Sequence, residues 1–139
     1  MESWHRDRFT TARVAVLTTI TPEGAPHPVP VTFALSGETL WTATDAKPKR
    51  AGPGTELRRH ANVAANPAVS LLVSAWDEDW SRLWWVRADG LARITERPAT
   101  VARAVEALSR KYRQYADIEL GAPVIEVTIT AWRGWRAGE

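Results

Sequence analysis

The chain has 139 residues, 45% hydrophobic and 24% charged, so a single domain with a true core is expected over residues 1–139. The formal net charge of +2 does not call for a nucleic-acid partner. The absence of cysteine excludes disulfides, thiolate zinc sites, iron–sulfur clusters and a cysteine nucleophile.

Residues 1–11 read as a short polar helix or arm. Arg13 to Ile20 alternates Val14, Val16, Thr18 and Ile20 with Ala15, Leu17 and Thr19, a strand with both faces covered. After the turn Thr21-Pro-Glu-Gly24, Pro26 to Leu35 forms its hairpin partner. Pro26, Pro28 and Pro30 cannot donate to a ladder, so this strand lies at an edge or bulges. Ser36-Gly37 turns the chain into a third strand, Leu40 to Thr44, with Leu40, Thr42 and Thr44 on one face and Trp41 and Ala43 on the other. A helix is expected over 56–65, capped by Thr55, with Leu57, Ala61 and Ala64 inward and Arg58 and Arg59 outward. Ala68 to Ala75 is a strand, Trp76 to Trp80 an acidic loop, and Leu83 to Glu96 a long strand bulged near Gly90. Pro98 opens a helix to about Tyr112, with Val101, Val105, Leu108 and Tyr112 as its inner stripe, and Pro123 to Trp132 is the last strand. Short connections make the sheet antiparallel. The fold class is therefore mainly β with α, a six-stranded barrel with peripheral helices.

The sequence is richest in chemical information where the third strand ends. Thr42 and Thr44 supply hydroxyls, and Lys47, Lys49 and Arg50 follow as a basic loop. Hydroxyls, backbone amides and cations together suit the phosphate of a nucleotide-like cofactor. Arginine is the cation used almost everywhere except at Lys47, Lys49 and Lys111, which adds weight to the paired lysines. The same segment also reads as a solvated turn. His5, His27 and His60 have no metal-ligand spacing, and no metal site is expected. His27 reads as a core or interface residue and His60 as surface or interface. Asp77-Glu78-Asp79 lacks the alternation of a calcium loop. There is no Gly-x-Ser-x-Gly elbow, dinucleotide fingerprint or phosphate loop, and no catalytic residue is assigned. No apolar run has the length of a membrane span, and the charged start is not followed by a signal-type segment, so a cytoplasmic protein without a membrane partner is expected.

Four stretches together are similar to a known family. Ala12 to Phe33, the strand Leu40 to Thr44 with its Lys-Pro-Lys-Arg loop, Ala64 to Val73, and Asp79 to Gly90 resemble the pyridoxamine 5'-phosphate oxidase-like flavin- and deazaflavin-binding split barrels. The last stretch narrows the resemblance to the branch of coenzyme F420-dependent enzymes. The resemblance implies a six-stranded split barrel and a homodimer with cofactor sites at the subunit interface. By position it implies phosphate contacts at Lys47, Lys49 and Arg50. It places Thr42, Ala43 and Thr44 along the phosphate and ring edge, and Pro30, Val31 and Thr32 near the ring. Trp76, Trp80 and Trp85 would form a wall from the second subunit. The loop 51–56 is longer than in the relatives, and Arg50 depends on how that loop runs.

The function expected is an F420-dependent oxidoreductase that moves a hydride between the deazaflavin and a small unsaturated substrate. Arg58 and Arg59 would meet the anionic tail of coenzyme F420. The first alternative is an FMN-dependent reductase or oxidase of the same fold, since both cofactors carry a ribityl phosphate. The second is a non-catalytic barrel that binds a cofactor or stacks RNA on tryptophan, which the modest charge and the acidic loop disfavour.

Overall fold

The computed structural model describes residues 3–45 and 57–138. Its elements are α1 (Ser3–Thr11), β1 (Ala15–Ile20), β2 (Pro26–Val31), β3 (Ala34–Ser36), β4 (Thr39–Asp45), α2 (Arg58–Ala65), β5 (Ala68–Ala75), β6 (Trp84–Thr95), α3 (Pro98–Lys111) and β7 (Leu120–Arg136). The strands make one antiparallel sheet in the order β2-β1-β5-β6-β7-β4-β3.

The two outer strands are consecutive in the chain, joined only by Thr32 and Phe33. Laid flat at about 4.8 Å per strand, seven strands would hold these edges about 29 Å apart. The three Cα steps from Val31 to Ala34 reach at most about 11 Å. The sheet must therefore roll until its edges meet. No ladder joins them, and the barrel is split along this seam.

The prolines explain why the seam stays open. Pro26, Pro28 and Pro30 pair with Ile20, Thr18 and Val16 of β1. Their spacing of two puts all three missing donors on the same side of β2, the side away from β1. The expected edge strand is thus found. It is shorter than expected, because the stretch from Pro26 to Leu35 breaks at Thr32 and contributes two strands, which raises the strand number from six to seven. The break lets Phe33 turn into the core, where it is fully buried.

Inside the barrel pack Leu17, Leu71, Val73, Val86, Ala88 and Val127. The helix α1 adds Phe9, whose ring lies 5.0 Å from Phe33 and 5.4 Å from Trp132. On the other side of β4 and β7, α3 covers Trp41 and Val124. Its buried positions are Thr100, Ala104 and Leu108, with Val101 and Val105 only half-buried. Of the expected stripe Val101-Val105-Leu108-Tyr112, Leu108 and Tyr112 are buried; nearer the helix start the buried face shifts to Thr100 and Ala104, where the small Ala104 packs on the Trp41 indole. The covering of β1 also differs. Ala15, Leu17 and Thr19 are buried, but Val14 and Val16 are exposed, and none of the described helices covers them.

The long strand β6 has the expected irregularity. Asp89 pairs with Ala131 and Gly90 with Ile129, so the extra residue is Thr130 on β7, whose hydroxyl donates to the Asp89 carbonyl at 3.2 Å. A methyl group on Gly90 would stand 2.8 Å from Val127 Cγ1 and press on the Thr128 carbonyl. Gly90→Ala should therefore lower stability by about 1–3 kcal/mol. Urea unfolding with an unchanged midpoint would show that the strands can part without penalty. The last strand runs from Leu120 to Arg136, longer than expected at both ends, because its first residues pair with β4 and its Trp/Arg/Gly end with β6. No helix among the described residues is long and apolar enough to cross a membrane.

Candidate functional site

The seam opens into a cleft of about 170 Å³ lined by Pro30, Val31, Thr32, Thr42, Ala43, Thr44 and Arg59. Register brings the two β segments together. Ala34 pairs with Trp41 in the β3–β4 hairpin, so Thr32, two residues earlier, falls opposite Ala43. The hairpin itself closes through Gly37 at φ 60°, a conformation that suits glycine. On its other side β4 is bulged against β7. Ala43 pairs with Val124 and Thr44 with Gly121, so Ala122 and Pro123 have no partner on β4. Such a bulge re-aims the strand end next to the cleft.

Arg59 arrives from α2. That helix is pinned by Asn62, whose amide donates to the Thr19 hydroxyl at 3.0 Å with both residues buried. Arg59, Asn62 and Val63 stand at i, i+3 and i+4 and share a face. The inner face of α2 is therefore this one together with His60. The expected Leu57-Ala61-Ala64 face is not inward, and Ala64 is exposed. Two further expectations are corrected: Arg59 turns into the cleft, and His60 is buried where a surface or interface place was expected. Arg58 remains exposed and outside the cleft. Burial lowers the Arg59 pKa from its ordinary value, but arginine starts high enough to stay charged at neutral pH.

The cleft is thus lined by three threonines and one arginine, with no acid among its described lining residues. Lys47, Lys49 and Arg50 lie outside the described residues, as do Thr55 and the loop 51–56. Trp76 and Trp80 sit at the β5–β6 turn, 71% and 65% exposed, with their rings edge to face at 6.3 Å. Trp85 is half-buried in β6 opposite Ser74 and Trp135. None of the three lines the cleft of its own chain. Among the described residues no group of histidines and acids is placed to hold a metal ion.

Sequence reasoning passed over a cluster beside the seam. Tyr115 and Thr32 share a hydrogen bond of 2.6 Å between their hydroxyls. Tyr112 accepts from the Phe33 N–H at 3.2 Å and donates to the Arg13 carbonyl at 3.1 Å. The available signal was that the chain's 2 tyrosines stand close together at a helix end. Next to them the Lys111 ammonium is buried without a hydrogen-bond partner among the described residues, 3.6 Å from the Phe33 ring centroid. Burial first, and then the charge of Arg13, push the Lys111 pKa down to about 8. An unfolded lysine titrates near 10.4, so between about 8 and about 10.4 the unfolded chain holds more protons, and stability rises with pH across that window. Melting temperatures taken at pH about 7.5 and about 9.5 should show this rise relative to Lys111→Met, which lacks the titration. Parallel pH dependences in the two proteins would place Lys111 in water.

An antiparallel barrel split along one seam, with its polar cleft on that seam, is the flavin-binding split-barrel fold. The sequence profile described as pyridoxamine 5'-phosphate oxidase matches residues 1–136, and the chain belongs to that family. Among solved structures, a conserved hypothetical protein from Mycobacterium tuberculosis is 22% identical, with a TM-score of 0.76 over 98% of this chain and 84% of its own. An FAD-binding protein from Mesorhizobium loti is 21% identical, with a TM-score of 0.71 over 96% of this chain and 93% of its own. A heme-binding protein from Mycobacterium smegmatis is 20% identical, with a TM-score of 0.73 over 96% of this chain and 53% of its own. At these identities the likeness is one of fold. No curated protein matches the sequence.

Proposed function

We propose that this protein is a cytoplasmic oxidoreductase that holds coenzyme F420 in the seam cleft and serves a small unsaturated substrate. The observation that carries this reading is the convergence of Pro30 to Thr32, Thr42 to Thr44 and Arg59 on one cleft with no acid among its described lining residues. That donor set fits a phosphate. At about 170 Å³ the cleft is smaller than the roughly 300 Å³ at which small-molecule pockets begin, so it suits the phosphate and ribityl portion, with the flat ring lying outside it. When bound, the deazaflavin supplies a ring carbon that gives or accepts hydride. The Thr42 and Thr44 hydroxyls orient the phosphate end, and Arg59 meets its charge, with Lys47, Lys49 and Arg50 following β4 in the sequence as further cations.

FMN is the second reading, supported by the FAD-binding protein of the same fold. Coenzyme F420 is preferred because its longer anionic tail gives more work to the cations around β4 and α2.

The protein is proposed to act as a homodimer. Val14 and Val16 of the β1 side, Leu72 of β5 and Leu91 of β6 are exposed, and Val16 pairs directly with Leu72. Val14, Val16 and Leu72 form an apolar patch across two neighbouring strands, with Leu91 set apart from it by the Arg87–Asp89 ion pair, and such a patch suits an interaction surface. In a dimer, Trp76, Trp80 and Trp85 of one chain become available to wall the cleft of the other. Fluorescence titration of cofactor-free protein with F420 and FMN tests the proposal. Tighter binding of F420, one per chain of a dimer, is expected. Preference for FMN would move the protein among the flavin enzymes, and binding of neither would end the oxidoreductase reading.

A further inference from the structure

Thr32 lines a second recess besides the cleft. This groove of about 390 Å³ is bounded by Arg13, Thr32, Tyr112, Gln114, Tyr115 and Ile118. It falls within the roughly 300–1,000 Å³ of small-molecule sites, whereas the cleft does not. Its aromatic wall is fixed. The Tyr112 and Tyr115 rings meet edge to face at 5.8 Å, and the Tyr112 hydroxyl is occupied by Arg13 and Phe33 backbone. The Tyr115 hydroxyl is held by Thr32 at 2.6 Å, which makes this hydrogen bond the partition between groove and cleft.

Arg13 is the charge of the groove. Its guanidinium carbon lies 4.5 Å from the Tyr112 ring centroid, and one amino group donates to the Lys111 carbonyl at 3.1 Å. No ion pair to an acid reaches it among the described residues, whereas Arg6, Arg82, Arg87, Arg93 and Arg110 each have one. Its ring contact and its carbonyl contact fix the side chain, leaving further N–H donors of the fork for a ligand.

We propose that this groove is the substrate subsite, and that it selects a flat small molecule bearing an acidic group, carboxylate or phosphate, through Arg13. The proposal rests on the reading of the seam cleft as the cofactor site, because Thr32 is what sets the two ligands side by side. Arg13 acts here as a specificity residue, and no proton transfer is assigned to it.

The test uses the full chain and three probes: benzoate, phenyl phosphate and the neutral benzamide, with binding followed by ligand-observed NMR. At least one acid should bind about tenfold more tightly than the amide, and Arg13→Met should abolish that preference. The one that binds more tightly identifies the acid. Arg13→Lys keeps a charge and should retain part of the preference, which separates a lost contact from a lost fold. F420 titration of Arg13→Met should be unchanged. Equal binding of acids and amide, binding of neither acid, or an acid preference that survives in Arg13→Met would each overturn the proposal. If the acids bind through Arg13 but F420 does not bind at all, the cofactor reading fails while the acid-selective groove stands.

Discussion

Arg59→Glu should weaken binding of F420 by about 100-fold, and Arg59→Gln by about tenfold, in the fluorescence titration. The cleft residues explain the size of the effect. Thr32, Thr42 and Thr44 supply dipoles, and Arg59 alone among the described lining residues supplies charge. It is half-buried, so a bound anion meets it with less screening than at an open surface. Reversal both removes that attraction and sets a carboxylate against the phosphate. The control is its neighbour. Arg58 is exposed and outside the cleft, and Arg58→Glu should change affinity by less than about threefold. Equal losses at the two positions would mean that only the general field of α2 matters. No loss at Arg59 would remove the cofactor from this cleft.

Phe33→Ala should cost about 3–5 kcal/mol of stability, measured by urea unfolding. The ring is fully buried, packs on Phe9 at 5.0 Å, and carries the Lys111 ammonium 3.6 Å above its face. Truncation leaves a cavity and also strips a buried cation of its one aromatic neighbour at that distance. Domains of ordinary stability hold about 5–15 kcal/mol, so the variant should be close to unfolding in marginal conditions. Phe33→Leu keeps most of the volume and should recover more than half of the loss. A loss below about 1 kcal/mol for Phe33→Ala would show that the seam, where Phe33 joins β2 to β3, can repack around the gap.

The two variants separate what holds the barrel from what the barrel holds. Phe33 and Thr32 are adjacent, yet one turns into the core and the other lines the cleft. This alternation at the two-residue seam connects folding to function: the break that gives Phe33 to the core also frees Thr32 from any ladder.

Local chemistry made much of this legible in advance. Three prolines at a spacing of two identify an edge strand wherever the strand ends up, because a missing donor is missing in any context. Pro98 at a helix start was legible for the same reason, and the irregularity near Gly90 because a glycine inside a strand lets another backbone come close. The resemblance of four stretches carried Pro30 to Thr32 and Thr42 to Thr44 as a group before any register was known, and one cleft gathers all six. What the sequence did not yield was which side of each element is covered. Arg59 turns inward because Asn62 meets Thr19, a partner far away in the chain. The buried face at the start of α3 is set by Trp41, and Val14 and Val16 stay exposed because none of the described helices covers them. The Arg13, Tyr112 and Tyr115 groove joins the chain's first strand connection to the end of its last helix. Periodicity within a segment reports that one face is apolar. The choice between neighbouring faces differs by only a few side-chain contacts, and distant residues supply those contacts once the sheet has rolled.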